Sequence, residues 1–275
     1  MKLTTLIFSL GIGLFAGGFN ATVYAVETGA TADSDFEQSF QAGVAKYQDK
    51  KYDEARLSFT DALQKNPQSV QTLVNLALAQ FQLGKKGEAV ALLRKAQNLD
   101  PDFSTPQAAL KFILPQLDVK EIPHEIQLWE TVRSSFIVPF SMTAFLALNA
   151  LAFFSTGWLF LVYFGKRRKA LREDLPLPVF PLIPTVILAV FVSILGLTIL
   201  KALDYRVPRG TIVSEKITVL SAPAEKSPSL FDLYAGLEVV LSSVEGDWVQ
   251  VTYPGAMTGW IPKSSIFQTS GRNLW

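Results

Sequence analysis

Cysteine is absent from the 275 residues, and histidine occurs once, at His124. Without thiolates there is no disulfide framework, no cysteine-ligated zinc, no iron–sulfur cluster and no thiol nucleophile. A single imidazole leaves one residue for any triad or histidine metal site. Its setting, Ile122-Pro123-His124-Glu125, reads as a solvated linker. No glycine-rich loop ends in Lys-Ser or Lys-Thr, and no Gly-x-Ser-x-Gly elbow occurs. The expectation is a non-enzyme with no catalytic residues, no cofactor and no metal. Charge is also scarce: 18% of residues, against roughly 25% in an ordinary soluble domain. The net charge of +1 gives no bulk attraction for a polyanion, so nucleic acid is not an expected partner.

The missing charge is concentrated in three apolar stretches, Leu3–Phe19, Phe140–Phe164 and Val179–Leu200. Residues 1–25 have the parts of a secretory signal: Lys2, an apolar run, and Val23-Tyr24-Ala25 as a small-residue cleavage site. Glycines at 11, 13, 17 and 18 make the run a poor permanent helix, though an uncleaved anchor is the alternative. Residues 26–35 form a linker. Segments 140–164 and 177–200 are each long enough for the roughly 20 residues of a spanning helix. Trp129, Trp158 and Tyr163 are rings of the kind found at membrane–water boundaries. Between the spans, 165–176 carries Lys166, Arg167, Arg168, Lys169 and Arg172 against Glu173 and Asp174. Short basic loops stay in the cytoplasm, so both flanking regions are expected on the exported face of a bacterial inner membrane.

Residues 36–69, shifted by 34, fall onto 70–103: Glu54 meets Glu88, Ala55 meets Ala89, Ala62 meets Ala96 and Pro67 meets Pro101. That period, with two helices per unit and a proline after the second, is the tetratricopeptide pattern. Gly43, Ala55 and Ala62, then Ala77, Ala89 and Ala96, let paired helices approach, while Phe59 and Leu93 fill the space between units. Ser39 and Lys46 stand where bulkier residues are usual, as at the wet edge of an array. Thr105-Pro106 reads as an N-cap and first helical position, opening a capping helix over 105–118. The all-α repeat domain is thus expected over 36–118. A juxtamembrane segment, 119–139, follows, with Ile126, Leu128, Trp129 and Val132 amphipathic near the bilayer. The concave face offers Phe40, Val44, Tyr47 and Gln48 from the first unit, and Val74, Asn75, Leu78, Phe81 and Gln82 from the second. Either these residues form a groove for an apolar partner segment, or the chain's own Pro106–Leu117 helix fills it.

Beyond the second span, short alternating runs separated by turn residues replace helical spacing. Thr218–Leu220, Glu238–Leu241, Trp248–Thr252 and Gly259–Ile261 read as strands, with turns at Glu245-Gly246-Asp247 and Pro254-Gly255. Over 204–270 this predicts a small all-β barrel of five or six strands. The order Pro223, Leu233-Tyr234-Ala235-Gly236, Gly246-Asp247-Trp248-Val249-Gln250-Val251 and Gly259-Trp260-Ile261-Pro262 resembles the bacterial SH3-like domain. Thr218-Val219-Leu220 replaces that family's usual Asn-Val-Arg. Trp248, Tyr253 and Trp260 either pack the core, the commoner role, or form an aromatic face for a peptide or cell-wall glycopeptide.

The sum is a multidomain membrane protein: tetratricopeptide repeats, two transmembrane helices and an SH3-like barrel. Signal, two repeats, two spans around a basic hairpin and an exported barrel together resemble the BatE-type aerotolerance proteins. The resemblance implies a scaffold in envelope or oxidative stress. Its implied partners are membrane-anchored von Willebrand A-domain proteins and an associated MoxR-type ATPase. The alternative is a cell-wall-peptide binding module acting through the SH3-like domain.

Overall fold

The computed structural model describes residues 34–117, 131–253 and 258–275. The signal at 1–25, most of the linker, His124, Trp129 and the Pro254-Gly255 turn lie outside the described residues.

Five helices open the chain: α1 (Ser34–Gln48), α2 (Tyr52–Lys65), α3 (Val70–Gln82), α4 (Lys86–Leu99) and α5 (Ser104–Ile113). They stack as TPR-like hairpins, and the small residues are where the helices meet. A Cβ on Gly43 would lie 2.6 Å from the ring of Phe59, so α1 crosses α2 at the closest backbone approach. Ala55, Ala62, Ala89 and Ala96 are fully buried, as are Phe59 and Leu93. The α3 N-terminus is capped by Ser69, whose Oγ accepts from the Thr72 N–H. The capping helix expected over 105–118 differs at both ends, giving way to a 3-10 turn (Leu114–Gln116) after Ile113. Helix α5 begins at Ser104, with Phe103 at the cap position and Pro106 inside the first turn. None of the first three N–H groups has an intrahelical partner, so proline is tolerated there.

Two long helices follow, α6 (Met142–Arg172) and α7 (Leu182–Asp204). Their 31 and 23 residues make them roughly 46 and 34 Å long, against a hydrocarbon core of about 30 Å. Both are long and apolar enough to cross a membrane. Their large side chains face outward: Phe154 is 72% exposed and Trp158 69%. The basic residues 166–172 are not loop but the last turns of α6, where positive charge suits the C-terminal end of the helix dipole. The two helices share one buried polar contact, Asn149 Nδ2 donating to Thr198 Oγ1 at 2.7 Å.

The C-terminal region is one antiparallel sheet: β1 (Arg209–Ile212), β2 (Lys216–Leu220), β3 (Ser229–Tyr234), β4 (Glu238–Glu245), β5 (Trp248–Thr252), β6 (Thr258–Pro262) and β7 (Ile266–Ser270). Its order is β3-β2-β6-β5-β4-β1-β7. The expected closed barrel is therefore corrected: seven strands form an open sheet, with β3 and β7 at its two ends. Every strand still contributes to one buried cluster, including Ile212, Val219, Leu233, Val239, Val249, Ile261 and Ile266. The sheet curls around this cluster, although no ladder among the described residues joins β3 to β7.

Helices and sheet do not fold apart. Helix α4 lies across β1 and β7, and Phe267 of β7 packs against the helical core. A Cβ on Gly87 would sit 2.5 Å from the carbonyl oxygen of Val213, so only glycine lets α4 come this close. Gly236, at φ +83, turns the chain between β3 and β4 directly against Leu117.

Candidate functional site

The concave-face residues of α1 and α3 come together, but mostly beneath the surface. Phe40, Val44, Tyr47, Val74, Asn75 and Leu78 are buried in the helical core, while Gln48 and Gln82 are exposed. The reason is the stacking itself. Helix α3 sits between α1–α2 on one side and α4–α5 on the other, so its residues 72–80 are all buried. Burial raises the Tyr47 phenol above its ordinary pKa, with a hydrogen bond from Gln82 pulling the other way. Phe81 is half-buried and meets Phe112 of α5 edge-on, ring centres 6.0 Å apart. The chain's own fifth helix therefore covers part of this face. An aromatic pair remains at its rim, with Phe112 37% exposed.

On the sheet, Trp248 and Trp260 do not enter the buried cluster. They alternate with buried Val249, Val251, Gly259 and Ile261, and the register Trp248↔Pro262, Gln250↔Trp260 puts both on the opposite face, half-buried. Tyr253 packs partly against the core, and burial raises its pKa.

A second constellation, which the sequence reading missed, lies where α4, α7 and the sheet converge. Arg133, in a π-helical turn (Arg133–Ile137) before α6, grips both oxygens of Asp204 at 3.2 and 3.1 Å. Its Nη2 donates to Glu238 at 3.1 Å. Arg209 of β1 also donates to Asp204 Oδ1, at 2.8 Å, and is nearly fully buried. From α4, Arg94 Nη1 donates to Thr211 Oγ1 at 2.9 Å and Asn98 Nδ2 to the Thr269 carbonyl at 3.2 Å. The Tyr205 hydroxyl, just past α7, donates to the Asn98 carbonyl at 3.3 Å. Burial pulls the Arg94 guanidinium below its ordinary pKa, and Glu238 opposes that shift. Arginine stays charged regardless, so this is a permanent cross-brace of alternating sign. The one sequence signal for it was charge flanking the spans: Arg133 before the first, Asp204 and Arg209 after the second.

Beside this brace a cleft of about 550 Å³ opens between the α4–α5 turn, the start of α6 and the end of α7. A second cleft of about 610 Å³ separates the start of α4 from Val213–Lys216 and Tyr234. Among the described residues no group of His, Asp or Glu is arranged to hold a metal ion.

Residues 46–111 match the tetratricopeptide repeat family. The match runs from the last turn of α1 into α5, through the hairpins whose small residues align at a spacing of 34. No curated protein and no solved structure matches the chain. Tetratricopeptide repeats are a non-catalytic family that generally mediates binding between proteins, which suggests a protein-interaction scaffold for this part of the chain.

Proposed function

We propose that the chain is a membrane-anchored scaffold, with α6 and α7 spanning a bacterial inner membrane and the repeat recruiting partner proteins on the exported side. The observation that carries this reading is the tetratricopeptide match over residues 46–111, on a body braced to two exposed apolar helices. The domain scheme read from the sequence, including a signal at 1–25 and an SH3-like domain over 204–270, belongs to the same proposal. So do a BatE-type role in envelope or oxidative stress, and von Willebrand A-domain and MoxR-type partners. The candidate face meets its partner through Gln48, Gln82 and the Phe81–Phe112 rim, with the buried residues beneath setting its shape.

Two experiments on the full chain test this. Cysteine at exposed Glu225 should react with an impermeant thiol reagent in intact spheroplasts, and cysteine at Arg168 only after lysis. The opposite pattern sinks the orientation. A photocrosslinking residue at Gln82 should capture a defined protein in native membranes, and Phe81→Ala with Phe112→Ala should abolish that capture. No adduct from Gln82 or Gln48 would reject this face. A cell-wall-binding reading is supported by the placement of Trp248 and Trp260 on the outer face of the sheet. Co-sedimentation of the full chain with sacculi, lost on Trp248→Ala with Trp260→Ala, would favour it.

A further inference from the structure

We propose that the cleft between the α4–α5 turn and the ends of the two apolar helices is a site for the headgroup of phosphatidylethanolamine. The inference rests on the reading of α6 and α7 as membrane spans. Its position comes first. The cleft is lined by Met142 and Thr143 at the start of α6 and by Lys201 and Ala202 near the end of α7. These positions are at one end of the helix pair, opposite the basic turns at 166–172, and Lys201 directly follows the apolar run that ends at Leu200. The cleft thus opens where hydrocarbon gives way to headgroups, at a size suited to a small ligand.

Its charges come next. The lining carries Arg133, Lys201 and Arg206 against Asp100, Asp102 and Asp204, so the signs balance. Arg133 and Asp204 are committed to each other. Among the described residues, the side chains of Arg206 and Asp102 have no ion-pair partner. Lys201 donates one of its three N–H bonds to the Ile137 carbonyl at 2.6 Å, which leaves two. Asp100 Oδ1 accepts the Asp102 N–H at 3.1 Å, which leaves its other oxygen. The groups with capacity to spare are therefore two cations and two carboxylates, segregated by origin. The cations come from the end of the second apolar helix, and the carboxylates from the turn after α4 on the helical body.

A balanced cleft of this kind suits a zwitterion better than an anion. In phosphatidylethanolamine the phosphate lies next to the glycerol, nearer the hydrocarbon, and the primary ammonium lies two carbons further out. Lys201 and Arg206 meet the phosphate, and Asp100 and Asp102 accept from the ammonium. Choline lipids have the same charges but no N–H to donate, and quaternary ammonium is recognised by aromatic cages. Here Tyr205 supplies the one ring among the lining residues. Anionic lipids such as phosphatidylglycerol satisfy the cations and leave the carboxylates opposed.

The test uses the full chain, extracted in detergent and titrated with phosphatidylethanolamine, phosphatidylcholine or phosphatidylglycerol of identical acyl chains. Thermal unfolding and native mass spectrometry give the readouts. Phosphatidylethanolamine should be retained selectively and should raise the melting temperature. Arg206→Gln and Asp102→Asn should each weaken that retention about tenfold, the scale of one hydrogen bond to a charged group. Both residues are exposed and unpaired, so the lipid-free melting temperature should not move. Equal retention of the choline lipid, stronger retention of phosphatidylglycerol, or unchanged binding by both variants overturns the site. If the chain is instead recovered soluble without detergent, the membrane reading itself fails and the site with it. A chain that fractionates with membranes but ignores headgroup identity loses only the site.

Discussion

The two repeats share a template and differ on one face of one helix. Along α2, Asp53, Leu57, Thr60 and Gln64 form a stripe; 34 residues later, α4 has Gly87, Ala91, Arg94 and Asn98. The α2 stripe faces water, with Leu57 58% exposed, whereas Ala91 is fully buried. Two positions have become small, and two have become donors aimed at Thr211 and the Thr269 carbonyl. A two-unit array is marginal alone, because stacked repeats bury a continuous core only with further neighbours. Here the sheet is that neighbour for α4, and α2 is the wet edge anticipated from Ser39 and Lys46. The comparison teaches that the inner residues of a repeat record its fold, while the outer stripe records what it is docked against.

The largest effects should fall on what the repeats share. Phe59→Ala should cost about 3–5 kcal/mol and Leu93→Ala about 2–5 kcal/mol, since both side chains are fully buried. Chemical denaturation of the full chain in detergent measures both. A tolerated substitution at either position would break the equivalence of the two units.

The outer stripe should then separate them. Gly87→Val pushes a branched side chain into the Val213 carbonyl and should cost about 1–3 kcal/mol. Asp53→Val, at the matching place, should cost less, at most about 1 kcal/mol, because it loses only a surface pairing with Arg56 and a first-turn carboxylate at the start of α2. Equal melting temperatures for the two variants would mean that α4 is not docked on the sheet. A smaller contrast is expected two stripe positions further on. Arg94→Met leaves the Thr211 hydroxyl without its donor, at about 1 kcal/mol, while Thr60→Met should be close to neutral.

What was legible in the sequence follows the same division. The hairpins could be read because Ala55 and Ala89, Ala62 and Ala96 recur at a fixed spacing, and that spacing is set by contacts within the array. The spans could be read because uncharged runs of such length have few other solutions. Strands β2, β4, β5 and β6 were legible from alternation. β1, β3 and β7 were not, because Arg209-Gly210-Thr211, Ser229 and Gln268-Thr269-Ser270 carry polar residues that tertiary contacts bury or pair. Trp248 and Trp260 could not be assigned a face from composition. Strand register decides that, and a one-residue slip reverses it. The concave face was the least legible, since its residue types suit a groove and a core equally. Only the stacking of α1, α3 and α5 puts most of them beneath the surface.

The subtlest difference between the repeats lies in the turn inside each hairpin. Lys50 has φ 61 and Gly84, its counterpart, φ 80. The turns are otherwise the same: Lys50 N–H donates to Tyr47 O and Gly84 N–H to Phe81 O, each at 3.0 Å. The next residues repeat the pattern, Lys51 N–H to Lys46 O and Lys85 N–H to Gln80 O, each at 2.9 Å. Both first helices thus close with a left-handed residue, which glycine adopts freely and lysine does not. A left-handed L-residue costs roughly 1–2 kcal/mol, while glycine gives back about 0.4–1 kcal/mol through the freedom of the unfolded chain. Lys50→Gly should therefore stabilise the first hairpin by about 0.5 kcal/mol, and Gly84→Lys should destabilise the second by a similar amount. The Lys50 side chain is exposed, and both backbone bonds survive its removal, so no other loss enters. The double variant exchanges the two turns and should melt within error of the parent. If Lys50→Gly lowers the melting temperature, or if the double variant departs from additivity, then the left-handed cost does not set the difference between the hairpins, and the two turns are alike in shape only.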